Sequence, residues 1–540
     1  MESLFTAGKP IHLTHLRLVG RGRLEDILEN WDHSQTIRTL SILAGLFIAH
    51  RIAMIIHNVW FHPLSKFPGP TLMAAFYFPF LWHSYLKGDM ARRAAELHRK
   101  YGSVVRVSPN HLAVDGDVAW PEVFAHKSGK PEFGKVPGFF FPGDHYSLIG
   151  APKEDHRRQR RQLSHAFSDA ALKEQEETLY KYFDMFFAKL SQHADSGTTI
   201  NFVDWMNFTT FDIIGDLCLS DSFHCLDNNG YHPWVHSIFQ AIRGDSAQRF
   251  LDAYPILSYM SKFFKLSPEY EVAQRNRALG GKLAIERIAR GETPGRRDFL
   301  SYMTRQTRNG EAGLSQNEIL ATTPLVILAG SETTATAMSG LVFYLCSNPE
   351  VYQRLAKEVR EAFAADEDIN LVSTGKLEYL HACLEEVLRV YPLLPRTPTT
   401  LSRCYSCRTL CSRGRKFKNP TLPKTTIIHT YQWATFRNPK NFADANSFRP
   451  ERWLPESHAF YDAKFKNDNR AAFKPFSFGA RDCIGKNLAY SELRVVTSKL
   501  LWRFDVTLEP GQEMWHEKQR TFTVWEKGPL NITLKDRRKE

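Results

Sequence analysis

The sequence predicts a mainly α-helical chain with small β-sheets, folded as a single large domain behind an N-terminal apolar helix. Three observations carry this reading. Apolar residues recur at three- and four-residue spacing over Gly150–Leu190, Leu314–Ser347, Pro349–Phe363, Lys376–Val390 and Ile484–Trp502, as helices with one buried face require. Alternating runs are short, at Val104–Val107, Thr426–His429 and Asn531–Leu534. After residue 61 there is neither a second linker nor a repeat of fixed period.

At 540 residues and 62.1 kDa, with 43% hydrophobic and 13% aromatic content, the chain can bury a large core. Disordered and collagenous classes are excluded. Lys+Arg 70 over Asp+Glu 58 leaves a formal charge of +12. The basic residues are spread through apolar periodic segments, so an acidic partner or an anionic membrane surface fits the balance, and no nucleic-acid partner is expected. Eight cysteines are too sparse for a disulfide scaffold and point to a reducing compartment.

In chain order, residues 1–37 read as a tail, 38–60 as a membrane anchor and 61–540 as one large folded domain. From Arg38 to Ile56 the chain is apolar over about the ~20 residues a bilayer span needs, but His50 and Arg51 interrupt it. A spanning helix and one lying in the interface are both open. No small-residue cleavage site of a secretory signal follows. FHPLSKFPGP is Pro-rich and suits a stiff exit from a membrane. Leu314–Ser347 opens on the capping box Ser315-x-x-Glu318, ends at Asn348-Pro349, and at 1.5 Å per residue is about 50 Å long. Pro324 predicts a bend in it.

The strongest chemical signal is Phe476-Ser-Phe-Gly479-Ala-Arg481-Asp-Cys483-Ile-Gly485, followed at once by a helical pattern. Free N–H groups at a helix start favour a thiolate, and two glycines let backbone approach a flat ring, which is what a haem iron ligand requires. The segment FSFGARDCIG resembles the haem-binding signature of the cytochrome P450 monooxygenases, FxxGxRxCxG, at every fixed position. Further stretches agree in order over about residues 60 to 535.

The resemblance implies the cytochrome P450 fold and haem b, with Cys483 as axial thiolate and Phe476, Arg481 and Gly485 around it. Ala329-Gly-Ser-Glu332-Thr333-Thr334 resembles the oxygen-activation motif. Gly330 would leave room for dioxygen against the helix, Thr333 would hydrogen-bond it, and Glu332 would help relay protons from solvent. Glu386-x-x-Arg389 with Arg452 resembles the family's buried structural network. His156 and Arg160 share a helical face and would bind a haem propionate, while Arg157, Arg158 and Arg161 read as a solvated basic face. KNLAYSELR, FTVWEKGPL, FHPLSKFPGP and SGKPEF resemble the filamentous-fungal, secondary-metabolite branch, which implies a terpenoid or polyketide substrate.

One stretch departs from the family. After Tyr391-Pro392 the chain reads RTPTTLSRCYSCRTLCSRGRKFKNPTLPKTT, and the usual propionate-binding arginine has no clean match, with Thr400 near its place and Arg396 or Arg403 as substitutes. A variant loop, a zinc half-site of Cys404, Cys407 and Cys411, and a mistranslated exon are the readings of it. The expected function is a haem-thiolate monooxygenase that inserts one oxygen atom from O2 into an apolar small molecule. The alternatives are a haem-thiolate isomerase or dehydratase, and a non-catalytic binding protein if 397–422 is genuine and disruptive. Lacking a dinucleotide fingerprint, the chain would take electrons from NADPH-cytochrome P450 reductase, docked near Lys474, Arg481 and Lys486. Pro137–Pro142, Leu325–Leu328 and Phe522 are expected to line the substrate. The resemblance places the anchor in the endoplasmic reticulum membrane with the domain cytosolic, leaving the acceptor patterns at Asn207 and Asn531 unglycosylated.

Overall fold

A computed structural model describes residues 33–126, 132–136, 143–264, 268–292, 295–306, 310, 312–396, 400–401, 409–412, 415–418, 422–423 and 425–539. The chain divides into two units, Met1–His62 and Pro63–Glu540. In the first, helix α1 covers His33–Ile56 and continues as a π-helical turn, His57–Phe61. Its start precedes the anchor expected at residue 38. The segment Ser34–Phe61 is long and apolar enough to cross a membrane, and Leu46, Phe47 and Ile48 on it are exposed.

The second unit is built on long helices, numbered here in chain order: α2 Met90–Tyr101, α3 Lys153–Ser164, α4 Asp169–Ser196, α5 Phe202–Leu219, α6 Pro233–Asp252, α7 Pro255–Phe264, α8 Pro268–Arg290, α9 Gln316–Cys346, α10 Pro349–Ala362, α11 Glu378–Val390 and α12 Lys486–Arg503. The periodicity read as one segment over Gly150–Leu190 is two helices. Ser168 stops the first pattern and caps α4, its hydroxyl accepting from Ala171 N at 3.3 Å, because a Ser side chain can satisfy a free N–H at a helix start.

Helix α9 has the expected capping box, Ser315 N donating to Glu318 Oε2 at 2.8 Å, and remains α-helical through Pro324. The other Glu318 oxygen accepts from Gln159 Nε2 at 2.9 Å and pairs with Arg158. Arg158 is therefore a tie between α3 and α9, contrary to its reading as a solvated residue.

The strands are short. A five-stranded sheet has the order β1-β2-β8-β5-β3, from Val104–Ser108, His111–Val114, Ile427–His429, Thr400–Leu401 and Gly134–Lys135. Only the β2–β8 pairing in it is parallel, and Lys135 lies opposite Thr400. A second sheet joins β4 (Ile200–Asn201), β12 (Asn531–Asp536) and β9 (Phe504–Leu508). Hairpins β6–β7 (Thr409–Ser412, Arg415–Lys418) and β10–β11 (Arg520–Thr521, Trp525–Glu526) complete the set. The main core gathers apolar faces of α4, α5, α9, α11 and α12. The expected substrate loop Pro137–Pro142, Cys404 and Cys407 lie outside the described residues.

Candidate active site

Cys483 sits in the loop before α12, where Gly485 is the N-cap residue. Its backbone N–H donates to Phe476 O at 2.9 Å, closing the loop on itself. Of the described cysteines, Cys483 alone is exposed. Gly479 has φ +86°, and a Cβ there would stand 2.1 Å from the Phe124 carbonyl oxygen. Only glycine tolerates both demands, so Gly479 is fixed by the approach of Phe124, which corrects its expected role of making room for a flat ring. A Cβ on Gly485 would meet the Phe167 ring at an ordinary 3.6 Å. Phe476 packs on Tyr490, ring centres 5.1 Å apart.

Beside the loop, positive charge is concentrated. Burial pushes the His156 imidazole down to about 3, helped by the Arg481, Arg160 and Lys135 charges. Burial and Arg481 also lower Lys135 to about 7, against the pull of Glu132. Arg481 donates to Glu132 Oε1 at 2.5 Å and to Ala151 O at 3.0 Å, while its Nη1 is buried with no acceptor among the described residues. Arg160 holds Asp482 of the ligand loop through its backbone oxygen and Oδ1, both at 2.5 Å. Four cationic or basic groups with two carboxylates and an orphaned buried guanidinium N–H suit an added anion such as a propionate. Because Arg481 turns inward, it cannot belong to the outward docking patch expected with Lys474 and Lys486.

Across α9, Leu325, Ala329 and Thr333 fall at i, i+4, i+8 and share one face, on which Ala329 is exposed. Thr333 Oγ1 donates to Ala329 O at 2.7 Å, which leaves the hydroxyl lone pairs available to accept. Gly330 faces elsewhere: a Cβ on it would stand 2.6 Å from Ile214 Cδ1 of α5. Its glycine serves helix packing rather than dioxygen, a correction to the motif reading. Glu332 is buried and pairs with Lys527. Phe522, expected at the substrate, is buried against Gly88.

The cytochrome P450 family matches residues 68–534 of this chain. The chain belongs to the cytochrome P450 family. Its relatives include a cytochrome P450 monooxygenase of Metarhizium robertsii, 37% identical over 97% of this chain and 99% of the relative. Another, from Aspergillus oryzae, is 37% identical over 91% of this chain and 95% of its own length. The trichothecene C-15 hydroxylase of Fusarium sporotrichioides is 36% identical, with 92% and 98% covered. This cytochrome P450 is accordingly a monooxygenase, and its family carries haem b on a cysteine thiolate.

The P450 scaffold is tied together behind the site. Glu386 accepts from Arg389 Nε and Nη2 at 2.8 and 2.7 Å, Arg449 N at 2.7 Å, Arg452 Nε at 3.2 Å and Trp453 Nε1 at 2.9 Å. Arg389 donates on to the Phe436, Ala445 and Ser447 carbonyls, and Arg452 pairs with Asp468. The three side chains expected to form the network thus meet, fully buried. Thr334 Oγ1 donates to Glu492 Oε2 at 2.9 Å, joining the helix that carries Thr333 to the helix that follows Cys483.

Burial pushes the Glu492 carboxyl up to about 8 from 4.5, against the Thr334 hydrogen bond. The native chain therefore keeps a proton that the unfolded chain releases. That stabilisation is complete below the unfolded value and is lost as pH rises through 8. At about 1.4 kcal/mol per pH unit it amounts to roughly 3–5 kcal/mol. Glu492→Gln should remove this part of the pH dependence, read as a smaller difference in unfolding midpoint between pH 5 and pH 8 than in the native chain.

Proposed function

We propose that Cys483 is the axial thiolate and that this monooxygenase oxidises an apolar small molecule of the terpenoid or polyketide kind, with electrons from NADPH-cytochrome P450 reductase. The observation that carries the ligand assignment is the exposed Cys483 beside a cationic cluster whose Arg481 N–H lacks an acceptor. When bound, haem supplies the oxygen-activating iron, and the thiolate donates electron density that favours O–O cleavage. His156, Arg160 and Arg481 would hold the propionate side, with Phe476 and Gly485 completing the ligand loop. The other described cysteines are buried or half-buried; burial raises their thiols, Cys225 and Cys346 to about 12, and raises the Cys483 thiol as well, there against the pull of the Gly485 N–H and the Arg160 and Lys486 charges. The hydroxylase name of the Fusarium relative supports the substrate class.

Thr333 holds a hydroxyl at the open face of α9, and Glu332 is the acid beside it. Thr333→Ala should leave haem content and substrate binding near native while lowering product formed per NADPH about 100-fold or more, with peroxide in its place, the range general acid–base groups contribute. Unchanged product per NADPH would make Thr333 a packing residue.

We further propose that residues 1–37 form a tail, 38–60 the membrane anchor and 61–540 the catalytic domain, held at the cytosolic face of the endoplasmic reticulum. The exposed apolar side chains of α1 support this, as do Ile256, Tyr259 and Phe263 exposed on α7. In sealed microsomes a tag at residue 1 should resist protease until detergent is added. Digestion without detergent would show that the segment does not span. A glycan at Asn207 is no test of orientation, because that amide is buried and donates to the Tyr231 hydroxyl at 2.9 Å.

A further inference from the structure

Beside the face of α9 that carries Thr333 is a second polar group that the sequence did not announce. Lys527, in the loop between β11 and β12, donates to Glu332 Oε1 and to Thr336 Oγ1, the latter at 2.7 Å. Thr336 Oγ1 lies 3.2 Å from Glu332 Oε1. The Lys527 and Glu332 side chains are 3% and 1% exposed. Glu332 Oε2 is buried with no hydrogen-bond partner among the described residues.

Such an arrangement is a poor way to stabilise a fold. Desolvating both charges offsets most of their attraction, and apolar residues of similar volume would do as well or better. An orphaned carboxylate oxygen adds a further cost. The pair also sits one residue from Thr333, on the helix that must supply protons when one oxygen atom of O2 is reduced to water.

The polar groups continue away from the cleft. The Asp204 carboxylate, at the start of α5, acts on the Lys527 charge. Asp204 Oδ1 accepts from the Tyr231 hydroxyl at 2.7 Å, and Asp204 Oδ2 accepts from Asn201 at 2.6 Å. Asp204 and Tyr231 are only partly buried, so this group of polar side chains reaches solvent.

We infer that Lys527 is a positioning residue for proton delivery: it fixes the Glu332 carboxylate in the resting enzyme, on a polar path that opens to solvent through Asp204 and Tyr231. This rests on the reading of Glu332 as the acid that passes protons toward Thr333. The carboxylate takes up a proton that comes from solvent along that path, passes it toward Thr333 and returns to the ionised form that Lys527 holds. Lys527 keeps its own proton and acts only through the carboxylate it holds.

The test uses the full-length, haem-loaded enzyme with its reductase and compares Lys527→Met, Lys527→Arg, Glu332→Gln and the double variant Glu332→Gln/Lys527→Met. Product per NADPH should fall about 100-fold in Lys527→Met and in Glu332→Gln, as loss of a general-acid group does. Lys527→Arg, which keeps the charge, should recover most of it. The double variant should match Glu332→Gln alone, because Lys527 has no other route to the chemistry. A readout independent of turnover is the infrared carbonyl band of a protonated carboxyl in the resting protein. The buried, protonated Glu492 gives one such band in every variant; a second should appear in Lys527→Met, where the unpaired buried acid takes up a proton, and be absent from the double variant.

Native coupling in Lys527→Met with loss in Glu332→Gln would overturn the role of Lys527 and leave the relay standing. Native coupling in both would overturn the relay itself. Should Lys527→Met not fold, the double variant carries the test, since it leaves no buried charge unpaired. A loss in it well beyond that of Glu332→Gln would mean that Lys527 acts structurally and would contradict the inference.

Discussion

Glu386→Ala is expected to yield a chain that neither folds stably nor retains haem. The substitution strips the carboxylate from Arg389 and Arg452, which are 0% and 1% exposed. It also removes the acceptor of Arg449 N and Trp453 Nε1. Breaking one partner out of a buried pair costs about 3–5 kcal/mol, and here two guanidinium groups share that partner. Against a total stability of about 5–15 kcal/mol the loss is decisive. Glu386→Gln keeps an acceptor oxygen without the charge and should fall between. Denaturant midpoints and haem per chain check this, and a native midpoint in Glu386→Ala would show that the carbonyls of Phe436, Ala445 and Ser447 suffice to hold Arg389.

Cys483→Ala has the second large expected effect, and a different one. Cys483 is exposed and contributes little packing, so the haem-free variant should unfold at the midpoint of the haem-free native chain. It should nonetheless lose the thiolate-ligated spectrum entirely. Replacing Cys404, Cys407 and Cys411 together should leave that spectrum intact. The opposite pair of results would move the ligand to the cysteine cluster.

Much of this was legible in the residues. The amphipathic helices α10 and α11 follow from apolar spacing, and the capping box at Ser315 sets the start of α9 where the sequence put it. Helix α5 was not legible: every residue but Asp204 is buried, polar Asn207, Thr209, Asp212 and Asp216 among them, so no apolar face stands out as a period. The ligand loop and the Glu386 network follow from motifs whose spacing is local. What the sequence could not provide is what packs against a motif from far along the chain.

Gly330 lies in the oxygen-activation motif, yet its open side faces Ile214. Arg481 looked outward in sequence, yet Glu132 and Ala151 O hold it inside. Lys135 enters the cationic cluster from a two-residue strand opposite Thr400, near the place where the sequence showed a propionate arginine to be missing. Lys527 lies 195 residues from Glu332 and directly follows Glu526, so nothing local to either residue announces the pair.

The central claim is that this P450 holds its haem through a cysteine thiolate. It is tested most directly by the absorption spectrum of the purified native chain, reduced and saturated with carbon monoxide. The red-shifted band of a thiolate-ligated haem is expected, at one haem per chain. A band at the position of an imidazole-ligated haem, or a purified folded chain that takes up no haem, would contradict it.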